Sequence, residues 1–143
     1  MKLLDNQIMF TKIGDKELYE DIRSLSCNLN TIVFRIRCEL CSNWNSFFRE
    51  ISAAMQFQSY FAWNVNSYID CVFDLDYLLD YSRVVIIFDH WSSIFLKSKD
   101  EDREKDRNLL FESIQIILDS WISDDDTKHI PLTILINDSG DDY

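Results

Sequence analysis

Glycine and proline are nearly missing from this sequence, which has two glycines, Gly14 and Gly140, and one proline, Pro131, in 143 residues. A phosphate-cradling loop needs several glycines at fixed spacing so that backbone amides can approach the ligand, so the usual nucleotide-binding enzymes are excluded. So few turn formers also argue against a sandwich or barrel and favour helices with short strands. Two histidines, His90 in "FDHW" and His129 in an acidic loop, leave little for Ser-His-Asp hydrolysis, and both read as surface or junction positions. No apolar run reaches the roughly 20 residues that span a bilayer. Asp5 interrupts "MKLLDNQIMF" where a signal peptide would be apolar, so the expected location is cytoplasmic.

What is present is apolar and acidic. Hydrophobic residues make up 47% and aromatics 14% of the chain, enough to bury the core of one domain. The net charge of −11 is unevenly placed. Residues 1 to 59 carry seven acidic and seven basic side chains, so the whole excess lies from Tyr60 onward. Such a field repels nucleic acid and anionic membranes and speeds encounter with basic proteins. Four cysteines in a chain of this length do not make a disulfide scaffold.

Periodicity orders the elements. Leu18, Ile22 and Leu25 follow the Gly14 break at helical spacing, within an N-terminal extension over residues 1–30. "TIVFRIR" (31–37) reads as a first strand. Asn43 is a cap type before Trp44, Phe47, Phe48, Ile51 and Met55, a helix. Asn64 is placed to cap a second, with Val65, Tyr68, Ile69, Val72 and Leu75 as its apolar stripe. "VVIIF" (84–88) reads as a strand buried on both faces. A charged segment precedes a helix carrying Leu110, Ile114, Ile117, Leu118 and Trp121, and "LTILI" (132–136) is the last strand. Strands separated by helices imply an α/β fold, a small three-stranded parallel sheet with crossover helices, in a domain over residues 31–143.

Three constellations bear on chemistry. "CELC" places Cys38 and Cys41 between a strand and a helix, the setting of a thioredoxin-like dithiol oxidoreductase, against two incidental turn cysteines. As a zinc site the pair lacks a second ligand pair, since Cys27, Cys71, His90 and His129 are scattered. "DDDTKH" lacks the glycine and closing glutamate of a calcium loop, and no metal or cofactor is expected. Finally, Asn66, Asp70 and Asp74 fall four residues apart, flanked by Tyr60, Trp63 and Phe73. By pattern alone this stripe reads first as a solvated helix face, with a surface for a cationic protein as the alternative.

The segment "MQFQSYFAWNVNSYIDCVFDLDYL" resembles the core motif of the barstar family, intracellular inhibitors of barnase-like ribonucleases. An apolar residue ending a helix, an aromatic pair, an asparagine opening the next helix and Asp-Cys in its middle appear here as Phe57, Tyr60 with Phe61, Asn64, and Asp70 with Cys71. The flanking strands agree over roughly residues 31 to 137. The resemblance implies an immunity protein or antitoxin without catalysis of its own, whose partner is a basic ribonuclease or nuclease toxin. It implies that Asp70 enters the enzyme's phosphate site, with Asn66 and Asp74 beside it. Tyr60, Trp63 and Phe73 would supply apolar contact, Asn64 would open the binding helix, and Asp119 would meet the basic rim. Asn66 stands where the family carries a second acidic residue, so the interface is retuned, and a scaffold binding a non-nuclease protein is the further alternative.

Overall fold

The computed structural model describes residues 2–28, 30–123 and 130–138. His129, the "DDDTKH" segment and Gly140 lie outside them. In chain order the elements are β1 (Gln7–Thr11), α1 (Asp15–Asn28), β2 (Thr31–Arg37), α2 (Trp44–Met55), α3 (Val65–Phe73), β3 (Arg83–Asp89), α4 (Asp100–Ser123) and β4 (Leu132–Asn137). Short 3-10 turns at Cys38–Leu40, Asp76–Asp80 and Trp91–Ser93 join them.

The sheet is parallel throughout, in the order β1-β4-β3-β2. It has four strands where the sequence predicts three. The added strand comes from the N-terminal extension, and β1 pairs with β4 from Gln7 opposite Thr133 to Thr11 opposite Asn137. None of its five residues is fully buried and its partner lies more than a hundred residues away, so neither composition nor period announces it.

Direction of travel decides which face each helix covers. The chain crosses from β1 at one edge to β2 at the other through α1, then returns through β3 to β4. Right-handed crossovers in opposite directions put helices on opposite faces. Accordingly Val84, Ile86 and Phe88 of β3 pack in one core with Phe47, Tyr68, Ile114 and Trp121 from α2, α3 and α4. Val85, Ile87 and Leu135 pack in the other, against Leu18 and Ile22 of α1 with Met9 and Ile13. Every residue of β4, and all of β3 after Arg83, is buried, as a strand covered on both sides must be.

A polar clasp fixes the extension at the carboxyl ends of the strands. Fully buried Asn137 donates from Nδ2 to the Ile13 carbonyl (3.0 Å) and to Asp89 Oδ1 (2.8 Å). Its Oδ1 accepts from the Ile13 amide (2.8 Å) and the Thr11 hydroxyl (2.7 Å), so the amide is satisfied on every side. Asp89, also fully buried, accepts from Arg35 Nε (3.0 Å) and Nη2 (2.6 Å).

A chain beginning at Asn30 therefore exposes the apolar face of Val33, Val85, Ile87 and Leu135. It is expected to lose the cooperative thermal transition and to bind a hydrophobic dye, and a sharp melt at the full-length midpoint would contradict this. In the full chain, Asn137→Ala is expected to lower the unfolding free energy in urea by about 2–3 kcal/mol, because buried Asp89 loses one of its donors and the Ile13 backbone loses both an acceptor and a donor.

Candidate partner-binding site

Helix α3 is short and held from below. The Asn64 side chain accepts from the Ser67 amide at 2.8 Å and supplies its N-cap. Tyr68 points into the core, edge-on to Phe47 at 5.4 Å, and shares a hydrogen bond with the Ser113 hydroxyl of α4. Cys71 and Val72 are buried beside it. With that face committed, Asn66 and Asp70 point to solvent.

The polar stripe is not all helix, contrary to the spacing argument. The helix ends at Phe73 and Asp74 is its C-cap, with its amide donating to the Asp70 carbonyl at 3.1 Å. Asp74 is nonetheless exposed and fixed, since the Tyr60 hydroxyl donates to its Oδ2 at 2.6 Å. That hydrogen bond, with some burial and the nearby carboxylate charge, pushes the Tyr60 pKa up to about 12. The Asp70 carboxylate makes no hydrogen bond or ion pair among the described residues. Both carboxylates sit towards the C-terminal end of α3, where the helix dipole disfavours negative charge, and no basic residue occupies the last turn to offset them.

The loop entering α3 is braced by aromatic packing. Phe61 is buried against Phe57 (5.2 Å) and Phe48 (5.7 Å), and the Trp63 indole stacks on it at 5.8 Å and 24°. Trp63 remains 48% exposed and adopts φ 57°, a left-handed conformation that costs a residue with a Cβ roughly 1 kcal/mol. The Ala62 amide donates to Ser67 Oγ at 2.9 Å, tying the loop to the first turn of the helix.

The remaining site residues separate. Phe73 is half-buried against Trp121 at 6.0 Å and serves mainly to dock α3 on α4. Asp119 is exposed and lines a surface cleft with Gln7 and Ile8 of β1. Tyr60, Trp63, Asn64, Asn66, Asp70 and Asp74 all belong to α3 and the loop before it.

The cysteine pair is placed against redox chemistry. Cys38 and Cys41 are both fully buried. Burial, reinforced by nearby carboxylates and for Cys38 by the neighbouring Cys41 as well, raises the Cys38 pKa well above the ordinary thiol value and pushes Cys41 up to about 12. A reactive dithiol needs the opposite shift.

His90, read from the sequence as a surface or junction residue, is a buried junction. It takes a left-handed backbone (φ 55°), with Nε2 3.1 Å from carboxylate oxygens of Asp15 and Glu39. Asp15, Asp89 and His90 bring one ligand atom each within 4.8 Å of one another, the residue types of a cation site. Arg35 already supplies a cation there, so the group is read as part of the clasp. The clasp itself escaped the sequence reading; its one signal is a polar residue, Asp89 or Asn137, directly after an apolar strand.

Acceptor oxygens and aromatic faces held on a short helix and loop have the composition seen in protein-docking surfaces. The class is narrower than that: the profile of the family described as Barstar (barnase inhibitor) matches residues 31–137, and the chain belongs to the barstar family. Members of that family inhibit ribonucleases and are not enzymes. No curated protein and no solved structure matched the chain. Among the described residues, no helix is long and apolar enough to cross a membrane.

Two outcomes follow from this geometry. A thiol reagent is expected to label one cysteine of the native protein rapidly, exposed Cys27, and all four only after unfolding; fast labelling of Cys38 or Cys41 would restore the redox reading. Asp74→Asn is expected to move one tyrosine titration, followed by ultraviolet absorbance, from about 12 down towards the ordinary phenol value near 10. The sign follows from the hydrogen bond favouring the protonated phenol: that contribution is present below the unfolded pKa and is lost as pH rises through the folded one.

Proposed function

We propose that this chain is an intracellular immunity protein or antitoxin that blocks the basic active site of a ribonuclease-type toxin with the acidic face of α3. The carrying observation is Asp70, an exposed carboxylate in the C-terminal half of α3, with no side-chain partner among the described residues. A carboxylate so placed matches the charge and acceptor geometry of a substrate phosphate, and Arg, Lys or His groups that bind phosphate would pair with it. Asn66 and Asp74 flank it with further acceptors, and Tyr60 holds Asp74 in place. Residues 31–143 form the inhibitory domain in this reading, and residues 1–30 are its extension.

Other features of the chain support the same reading. The charge excess from Tyr60 onward favours encounter with a basic protein and disfavours nucleic acid. Asp70 lies past the midpoint of α3, where the helix dipole gives a carboxylate no stabilisation, as expected of a group kept for binding. Asp119 lies by β1 and contacts the enzyme at its rim if the interface extends that far.

The test is capture of partners from the native cell with the wild-type chain as bait, beside Asp70→Arg, with ribonuclease activity assayed in the eluate. The wild type is expected to retain a basic ribonuclease that the variant does not. Against that enzyme, Asp70→Ala is expected to weaken inhibition roughly 100-fold with an unchanged urea midpoint, because an exposed helix carboxylate contributes little to folding. Equal capture by both baits would overturn the assignment.

A further inference from the structure

We infer that Trp63 is the specificity-determining anchor of this face, and that its indole receives an arginine side chain of the partner ribonuclease. The inference rests on the function proposed above and names what that face selects.

Among the described residues, six other than glycine have positive φ: Asn6, Asn30, Gln56, Trp63, His90 and Phe95. Each of the others has a local reason. Asparagine tolerates the left-handed region, Gln56 is the C-cap of α2, where that conformation closes the helix, and His90 and Phe95 are buried, with their side chains fixed by packing. Trp63 is no asparagine, closes no helix and is not buried. It is a bulky residue in a conformation that favours glycine, at the surface, with 48% of its area still exposed. Backbone cost without burial in return is the pattern of residues retained for function.

The geometry says what function. One face of the indole is stacked on Phe61 at 5.8 Å and 24°, and Phe61 is itself wedged into the core. The ring is therefore held in place before any partner arrives, which removes most of the entropy cost of ordering it on binding. Pre-ordered, half-exposed tryptophan beside hydrogen-bonding groups is the composition of an interface hot spot. The carboxylates of α3 and its C-cap define the complement. Asp70 and Asp74 call for a cationic surface, and among cations the planar guanidinium both pairs with carboxylates and stacks on an aromatic face. A lysine-lined or wholly apolar surface satisfies one requirement and not the other.

The experiment measures inhibition of a purified barnase-family ribonuclease by the wild-type chain and by Trp63→Phe, Trp63→Leu, Trp63→Gly and Asp70→Ala, with a thermal midpoint for each. Trp63→Leu and Trp63→Gly are expected to weaken inhibition roughly 10- to 100-fold, through faster dissociation, while Trp63→Phe keeps most of it. The Trp63→Gly midpoint is expected to be no lower than wild type, since glycine suits the backbone there. Unchanged inhibition by Trp63→Gly with loss in Asp70→Ala overturns the inference and leaves the proposed function standing. A midpoint that falls in step with affinity assigns Trp63 to structure and also overturns it. An enzyme left equally active by the wild type and Asp70→Ala overturns the proposed function, and this inference with it.

Discussion

Burial of β3 and β4 on both faces is the constraint from which the rest of this structure follows. An apolar strand in the middle of a parallel sheet cannot show either side to water, so helices must cover both. Helices α2, α3 and α4 all lie on one side, within the region that matches the barstar family. The other side, with Val85, Ile87 and Leu135, is closed by α1. The extension is therefore structural in the strict sense: it supplies the missing layer, adds an edge strand through β1, and is locked to the strand ends by Asn137 and Asp89. The buried Asn137 and Asp89 are tolerable because their acceptors and donors are matched, with Arg35 supplying the balancing charge.

The same packing makes α3 a good platform. At nine residues it is too short to be stable alone, and its persistence comes from its cap and from Tyr68, Cys71 and Val72 in the core. Tyr68 meets α2 through Phe47 and α4 through Ser113, so the helix is gripped by both of its neighbours. A continuous run of aromatic contacts, Phe48 to Phe61 to Trp63, carries that rigidity out to the surface. Tyr60 does the same for Asp74 at the other end of the helix. What the face presents is thus set by the core beneath it.

How much of this was legible in the sequence depends on how local the cause is. Helix α2, with Asn43 as cap and Phe47, Phe48, Ile51 and Met55 at helical spacing, carries its signal within itself, as do the apolar run of β3 and the stripe of α4. The segment around α3 was legible as a barstar-family motif, and Asp70 as an exposed carboxylate on its helix. Long-range pairing was not. β1 is a strand because β4 is beside it, and Asn137 matters because Ile13 and Asp89 converge on it. The end of α3 was misjudged because helical spacing continues through Asp74 while the hydrogen bonding stops at Phe73. The left-handed backbone of Trp63 was hidden for a different reason, since tryptophan is the wrong residue to suggest it.

The division of labour between charge and aromatic surface follows from solvent. Exposed carboxylates in water interact weakly with a distant cation, so in the proposed role Asp70 and Asp74 would contribute first to the rate of encounter and only after water is excluded to the lifetime of a complex. Exclusion of water requires apolar area close to the charges. Trp63 and Tyr60 provide it without having to be ordered on contact, because Phe61 and Asp74 already hold them. An acidic field alone would attract any basic protein, and aromatic rings alone would attract any apolar one. Fixing both on one short, internally braced segment would, in the proposed role, limit tight binding to a surface that offers cations and a flat apolar fit in the same place.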